Sequence, residues 1–464
     1  MNSTHKTEAS VSRYSQAAFV MLLAVPMLAT VFYGAVDPAA QGLLAVSAIL
    51  ILILWTLDSL KHGNVEVSLE LLQAPLAAMI LLGFVQLLPL GNSGAPPGGL
   101  AVAPSSALSH DPFATRMFIV RLVALLIFFA AALVFIRGSK RVRTVAVALV
   151  GFGALMAFVG TLQWLAKPEA IYGLRPTPQA IPFGSFVNQH HFAAFMEMTI
   201  GLGLGIALGS GLKRSMLPLL ITALVLMMIA VVLTGSRGGI LSLGAVVITA
   251  FAATYFAGGR TRSKAGADPS RRGALYGLIG ISAGAVLLLV LVISLGGVDN
   301  LLRGVGFGTA SDDPTSGRLH FWSVAIEIFK ANPLVGAGLD AFGNAFPLYD
   351  TRNGSFRVEQ AHNDYLQMLA DGGMIGFGIV LAFVVLLAGA CIRSIRSAAE
   401  GFERSVAIGA AAGIVGILAH SFVDFPLRTT SNAYIFFLLI AVMIAAGAVP
   451  STNADAGHRR TSGR

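Results

Sequence analysis

The chain has 464 residues, 56% of them hydrophobic and only 11% charged, whereas a soluble domain usually carries about 25% charge. A globule in water has too much surface to hide that much apolar material, so the composition excludes a soluble domain and points to lipid as the solvent. The net charge of +9 does not indicate nucleic acid, because the basic residues sit in short loops between apolar runs and form no continuous stripe.

The single cysteine, Cys391, lies within an apolar run, which rules out an internal disulfide and a cysteine-based metal site. Residues 1–16 are polar and the apolar run behind them is long enough to span, so the first helix is expected to be an uncleaved anchor. A span needs about 20 mostly apolar residues. That rule predicts helices near 17–36, 42–60, 71–90, 115–136, 144–166, 191–210, 216–234, 239–257, 274–297, 372–392, 405–423 and 430–449. The fold class is therefore all-α, a polytopic transmembrane protein of about twelve spans.

An even number of spans places both termini on one side. The loops RGSKRVR (137–143) and GGRTRSKAGADPSRR (258–272) lie on that side with most of the other basic residues, while most acidic residues fall opposite. Cytoplasmic loops carry the excess of Lys and Arg, so the termini are expected to be cytoplasmic. The expected organisation is transmembrane helices over 1–297, a large periplasmic loop over 298–371, further spans over 372–450 and a cytoplasmic tail over 451–464.

Three outer segments stand out: 91–114, rich in Gly, Pro and Ser; the proline-containing 167–190; and the long 298–371. A loop as long as the last is seldom a passive connector. Within it, Arg318–Lys330 spaces Leu319, Trp322, Ile326 and Phe329 as on one helix face, and Pro333 ends the pattern. Such a helix suits the lipid interface.

Of the nine histidines, His110, His190, His191, His320, His362 and His420 fall on the outer side. Imidazole is costly in lipid and useful near neutral pH. In Gln360-Ala361-His362-Asn363-Asp364-Tyr365, His362 reads either as a general base or as a group tying down a helix start. In Thr234-Gly235-Ser236-Arg237-Gly238-Gly239, Arg237 can hold a phosphate with its planar fork or reach up to headgroups. Asn188, His190 and His191 offer donors at a helix N-terminus, a favourable place for an anion. Two adjacent histidines rarely converge on one ion, so no metal is expected there. His420 and Asp424 stand four apart, a spacing that permits a structural pair on one helix face. With Arg318 and Arg428, these clusters gather cations and imidazoles at one membrane face.

The ordered runs GSFVNQHHFA, TGSRGG, GRLHFWSVAIEIFKANPLVGAGLDAF and AHNDYLQMLADGGMIG, with HSFVDFPL behind them, resemble the O-antigen ligase and polymerase superfamily over roughly 180–380. The resemblance implies a GT-C-like membrane glycosyltransferase with short helices in its large periplasmic loop. Such enzymes work in the bacterial inner membrane without metal, cofactor or nucleotide sugar. They take a glycan from a polyprenyl diphosphate carrier to an acceptor hydroxyl on a glycan or lipid, surrounded by membrane lipids and without nucleic acid. By the same resemblance His362 matches the catalytic base, Arg237 and Arg318 match the diphosphate-binding arginines, and Asn188 matches the asparagine of the outer-loop motif. His191, Asn363, Tyr365, His420, Asp424 and Arg428 are expected to support them. Where relatives often carry a second asparagine, this chain has His190. Ligation to lipid A–core, Wzy-type repeat-unit polymerisation and transfer to protein share these motifs. A transporter is the alternative of another class, although transporters place charges near mid-bilayer and this chain gathers them at one face.

Overall fold

Apolar runs become helices because lipid offers backbone groups no partner, so each segment must satisfy its own N–H and C=O groups. The computed structural model of the chain describes residues 12–91, 106–178, 180–209, 211–258, 317–352 and 358–449. In chain order it runs α1 Arg13–Val31, α2 Pro38–His62, α3 Gln73–Gln86, α4 Pro112–Phe135, α5 Gly138–Ala166, α6 Gln189–Leu208, α7 Leu217–Leu233 and α8 Arg237–Gly258. Then follow α9 Arg318–Ala331, α10 Phe342–Tyr349, α11 Asp364–Ser397, α12 Phe402–His420 and α13 Thr430–Ala448. A two-residue hairpin, Ala170–Ile171 with Arg175–Pro176, ties the loop before α6.

Among the described residues 10 helices are long and apolar enough to cross a membrane, so the chain is a polytopic all-α membrane protein. The span expected at 274–297 lies outside the described residues. The segment expected to span 71–90 is shorter than a crossing: α3 has 14 residues, about 21 Å at 1.5 Å per residue against a core of about 30 Å. It stops at Gln86, whose buried amide is committed to the outer loop. Its Nε2 donates to the carbonyls of Val335 (2.5 Å) and Asp371 (2.9 Å), and its Oε1 accepts from the Leu339 amide (2.8 Å).

The centre of the bundle is α6 against α12, with α8 and α13 beside them. Without a hydrophobic force between helices in lipid, small residues that let backbones approach decide such contacts. A Cβ added to Gly205 would lie 2.3 Å from the Gly409 nitrogen, so any side chain there pushes the pair apart. The helix expected at 372–392 starts earlier, at Asp364, and bends at Gly373, where φ is 61°. A Cβ at Gly373 would meet the Leu334 carbonyl at 2.5 Å. This bend lets the first turns of α11 pack with the segment around Leu334 and the rest run on as a spanning helix.

The helix expected over Arg318–Lys330 forms as α9. It buries Val324, Ala325 and Ile328 and leaves Leu319 and Ile326 exposed, a face suited to lipid.

Candidate active site

The N-termini of α6, α8, α11 and α13 and the C-terminus of α12 meet at one end of the bundle, and α9, packed on α11, brings Arg318 at its own N-terminus to them. Three of the motifs singled out in the sequence reach this end by a local cap. The Asn188 side chain accepts from the His190 amide (2.8 Å) and starts α6. The Ser236 hydroxyl accepts from the Gly239 amide (3.1 Å) and starts α8. The Asn363 side chain accepts from the amides of Tyr365 and Leu366, both at 3.0 Å, and starts α11. Asn363 therefore ties down that helix start, and His362 is left free of that task. Gln367 stiffens the same turn: its Oε1 accepts from the Ala361 amide (2.8 Å) and its Nε2 donates to Gln360 (2.6 Å). Held from both sides, His362 takes a left-handed backbone with φ 52°. A non-glycine residue in that region costs of order 1–3 kcal/mol, and such strain gathers at functional sites.

Asp424, 1% exposed, is the hub. Its Oδ2 pairs with Arg318 Nη2 at 3.2 Å, and its Oδ1 lies 3.4 Å from His362 Nδ1. The His362 contact is long, and Nδ1 has no formed hydrogen bond. The Phe425 amide donates to the same Oδ1 at 2.8 Å. Burial pushes the Asp424 carboxyl up, but contact with His362 and the fields of His190, His362 and His191 outweigh it. The carboxyl sits well below its usual range. Both Arg318 and His362 keep part of their side chains exposed, 22% and 28%, so a ligand reaches them while Asp424 stays behind.

The two adjacent histidines of α6 diverge. The His191 ring meets Thr429 Oγ1 at 2.6 Å and lies edge-on to Phe425, whose other neighbour is the His362 ring; both centroid distances are 4.8 Å. His190 Nδ1 meets Ser236 Oγ at 2.8 Å, linking α6 to the turn that carries Arg237. Arg237 is an exposed first residue of α8. The next residue, Gly238, packs on His420: a Cβ there would lie 2.9 Å from His420 Nε2. Arg237 is thus flanked on both sides by residues touching the histidine cluster.

Two expectations change. His420 and Asp424 do not pair through their side chains; only the Asp424 amide reaches back to the His420 carbonyl (3.1 Å). His420 Nδ1 instead meets Glu197 Oε1 at 2.9 Å, with both side chains fully buried. A helix's last turn gives way to a tight turn at 421–424, which turns Asp424 toward α9 and α11. Arg428 is the other change. Its Nη1 meets Asp340 (2.9 Å), its Nη2 meets Asp371 (2.8 Å) and its Nε lies 3.7 Å from Asp364. Burial works against its charge, but these carboxylates outweigh it and raise the guanidinium above its ordinary value. Arg428 is a latch on the outer loop. Tyr365 is structural too, its hydroxyl donating to the Leu418 carbonyl at 2.8 Å.

The sequence reading missed Gln86, Glu197, Asp340, Gln367 and Phe425. Glu197 carried a signal, since a lone carboxylate inside an apolar run is a functional candidate by default; the others carried none.

The fold and this face define a polytopic membrane protein with an imidazole, carboxylate and guanidinium cluster at one end of its helix bundle. Residues 222–381 match the family model described as O-antigen ligase, a stretch that includes Arg237, Arg318 and His362. Over that stretch, about a third of its length, this polytopic membrane protein is similar to the O-antigen ligase family, which supports a function of that general type. No curated protein matches it.

Proposed function

We propose that this protein transfers a glycan from a polyprenyl diphosphate carrier to an acceptor hydroxyl, ligase-type transfer to lipid A–core being the first reading. The observation that carries the proposal is the meeting of His362 and Arg318 on one buried carboxylate at the membrane boundary. His362 Nδ1 faces Asp424, which favours the tautomer with the proton on Nδ1 and leaves the Nε2 lone pair for the acceptor. Nε2 takes the acceptor proton as the hydroxyl oxygen bonds to the anomeric carbon. The bond from that carbon to the diphosphate oxygen breaks, and the electron pair leaves with the polyprenyl diphosphate. A diphosphate needs little protonation to depart, so positive charge does most of the work. Arg318 and Arg237 supply it, and their planar forks match phosphate oxygens. A single displacement of this kind inverts the anomeric centre.

The excess of Lys and Arg at the opposite end supports the reading that this end is cytoplasmic and that the site faces the periplasm from the inner membrane. Complementation tests the reading. A deletion strain carrying the His362→Ala protein, present in the membrane at normal amount, should make no mature surface polymer. Full restoration would remove His362 from the chemistry. On a polysaccharide gel, loss of all polymer from the core indicates a ligase, and single repeat units left on the core indicate a polymerase.

A further inference from the structure

Asp424 serves two cations with one carboxylate, and the two contacts are unequal. The Arg318 pair at 3.2 Å is formed, while the His362 contact at 3.4 Å leaves Nδ1 without a hydrogen bond. Arg318 and His362 face the open side; Asp424 does not. A diphosphate arriving from that side meets Arg318 first, because an anion seeks the guanidinium and is repelled by the carboxylate.

We infer that Asp424 is an exchangeable counter-ion: it holds Arg318 until the donor's diphosphate takes that arginine over, and the same exchange hands the carboxylate to His362. This rests on the transferase reading above. The reason is electrostatic. A buried carboxylate that loses its cation is strongly destabilised. The nearest remedy is His362 Nδ1–H, which needs to close by only a few tenths of an ångström to form a hydrogen bond of ordinary length. A carboxylate bonded to Nδ1–H stabilises positive charge on the ring and so makes Nε2 a stronger base. Donor binding thereby strengthens the base at the moment an acceptor hydroxyl is needed. Asp424 is a positioning residue in this scheme, acting through Arg318 and His362.

The scheme separates binding from turnover. In Asp424→Asn the arginine has no anion to give up, so undecaprenyl diphosphate alone should bind the purified full-length protein about tenfold more tightly than wild type. Turnover should nevertheless fall at least about a hundredfold, because the base is never strengthened. A merely structural aspartate would weaken both. Unchanged or weaker binding by a folded Asp424→Asn protein overturns the inference. Should that variant fail to fold, the wild-type structure with undecaprenyl diphosphate bound decides. The Arg318–Asp424 contact should open beyond hydrogen-bond reach while the His362–Asp424 contact closes below 3.4 Å. Phosphate on Arg318 with both contacts unchanged overturns it equally. Wild-type protein that neither binds the diphosphate nor transfers glycan would count against the transferase reading itself, and is thus a distinct result.

Discussion

Replacing Arg428 with Ala should destabilise the outer loop far more than it disturbs the chemistry. The guanidinium meets Asp340 at 2.9 Å and Asp371 at 2.8 Å, with Asp364 at 3.7 Å. Asp371 is fully buried, whereas Asp340 and Asp364 keep 19% and 15% of their side chains exposed. Stripping the partner from a buried charge costs roughly 3–5 kcal/mol, and the cost falls mainly on Asp371. Asp340 retains Arg121, so its share is small, and Asp364 still accepts from the Ser421 hydroxyl at 3.0 Å. The loss should show as a melting temperature lowered by several degrees in detergent, with proteolysis opening between α9 and α11. Combining Arg428→Ala with Asp371→Asn removes the orphaned charge and should recover most of the lost stability, a coupling that a double-mutant cycle reads directly. A melting temperature within a degree of wild type, or no recovery in the double variant, would refute the latch.

Gly373→Ala should fold poorly or lose activity, since an added Cβ meets the Leu334 carbonyl at 2.5 Å on a backbone with φ 61°; expression and thermal stability measure it. Gly205→Leu should part α6 from α12 and lower the yield of folded protein by size-exclusion chromatography, because a first side-chain carbon already sits 2.3 Å from Gly409. Arg318→Lys keeps the charge and loses the fork, so donor KM should rise at least about tenfold with the protein folded. The depressed Asp424 carboxyl contributes stability that is full above about pH 4 and drains away as the pH falls further, through its folded-state value. Asp424→Asn should therefore flatten the acid limb of a melting-temperature profile, and an unchanged limb would assign that stability elsewhere.

The spans were legible because about twenty apolar residues in a row have one stable home. Where hydropathy misled, a single polar side chain was responsible. Nothing in the run 71–90 announces that Gln86 turns its amide onto Val335, Asp371 and Leu339 and ends the helix early. The hydropathy rule started the span of α11 at 372 and gave no sign of the bend at Gly373 or of the helical turns before it. Of the residues the motifs singled out, His362 and Arg318 converge, and their convergence runs through Asp424, a residue more than 50 positions from either. The partners of Arg428 come from three separate stretches, so periodicity could not find them. His420 looked paired with Asp424 because four residues make one helical turn. Its actual partner, Glu197, lies on another helix, which spacing along one chain segment cannot reveal.

The most direct test of the account is transfer in vitro from a defined polyprenyl diphosphate-linked glycan, with the anomeric configuration of the product read by nuclear magnetic resonance. Wild-type protein should yield an inverted linkage and free polyprenyl diphosphate, and folded His362→Ala protein should yield neither. A retained configuration, or product formed by the His362→Ala protein at the wild-type rate, would contradict it.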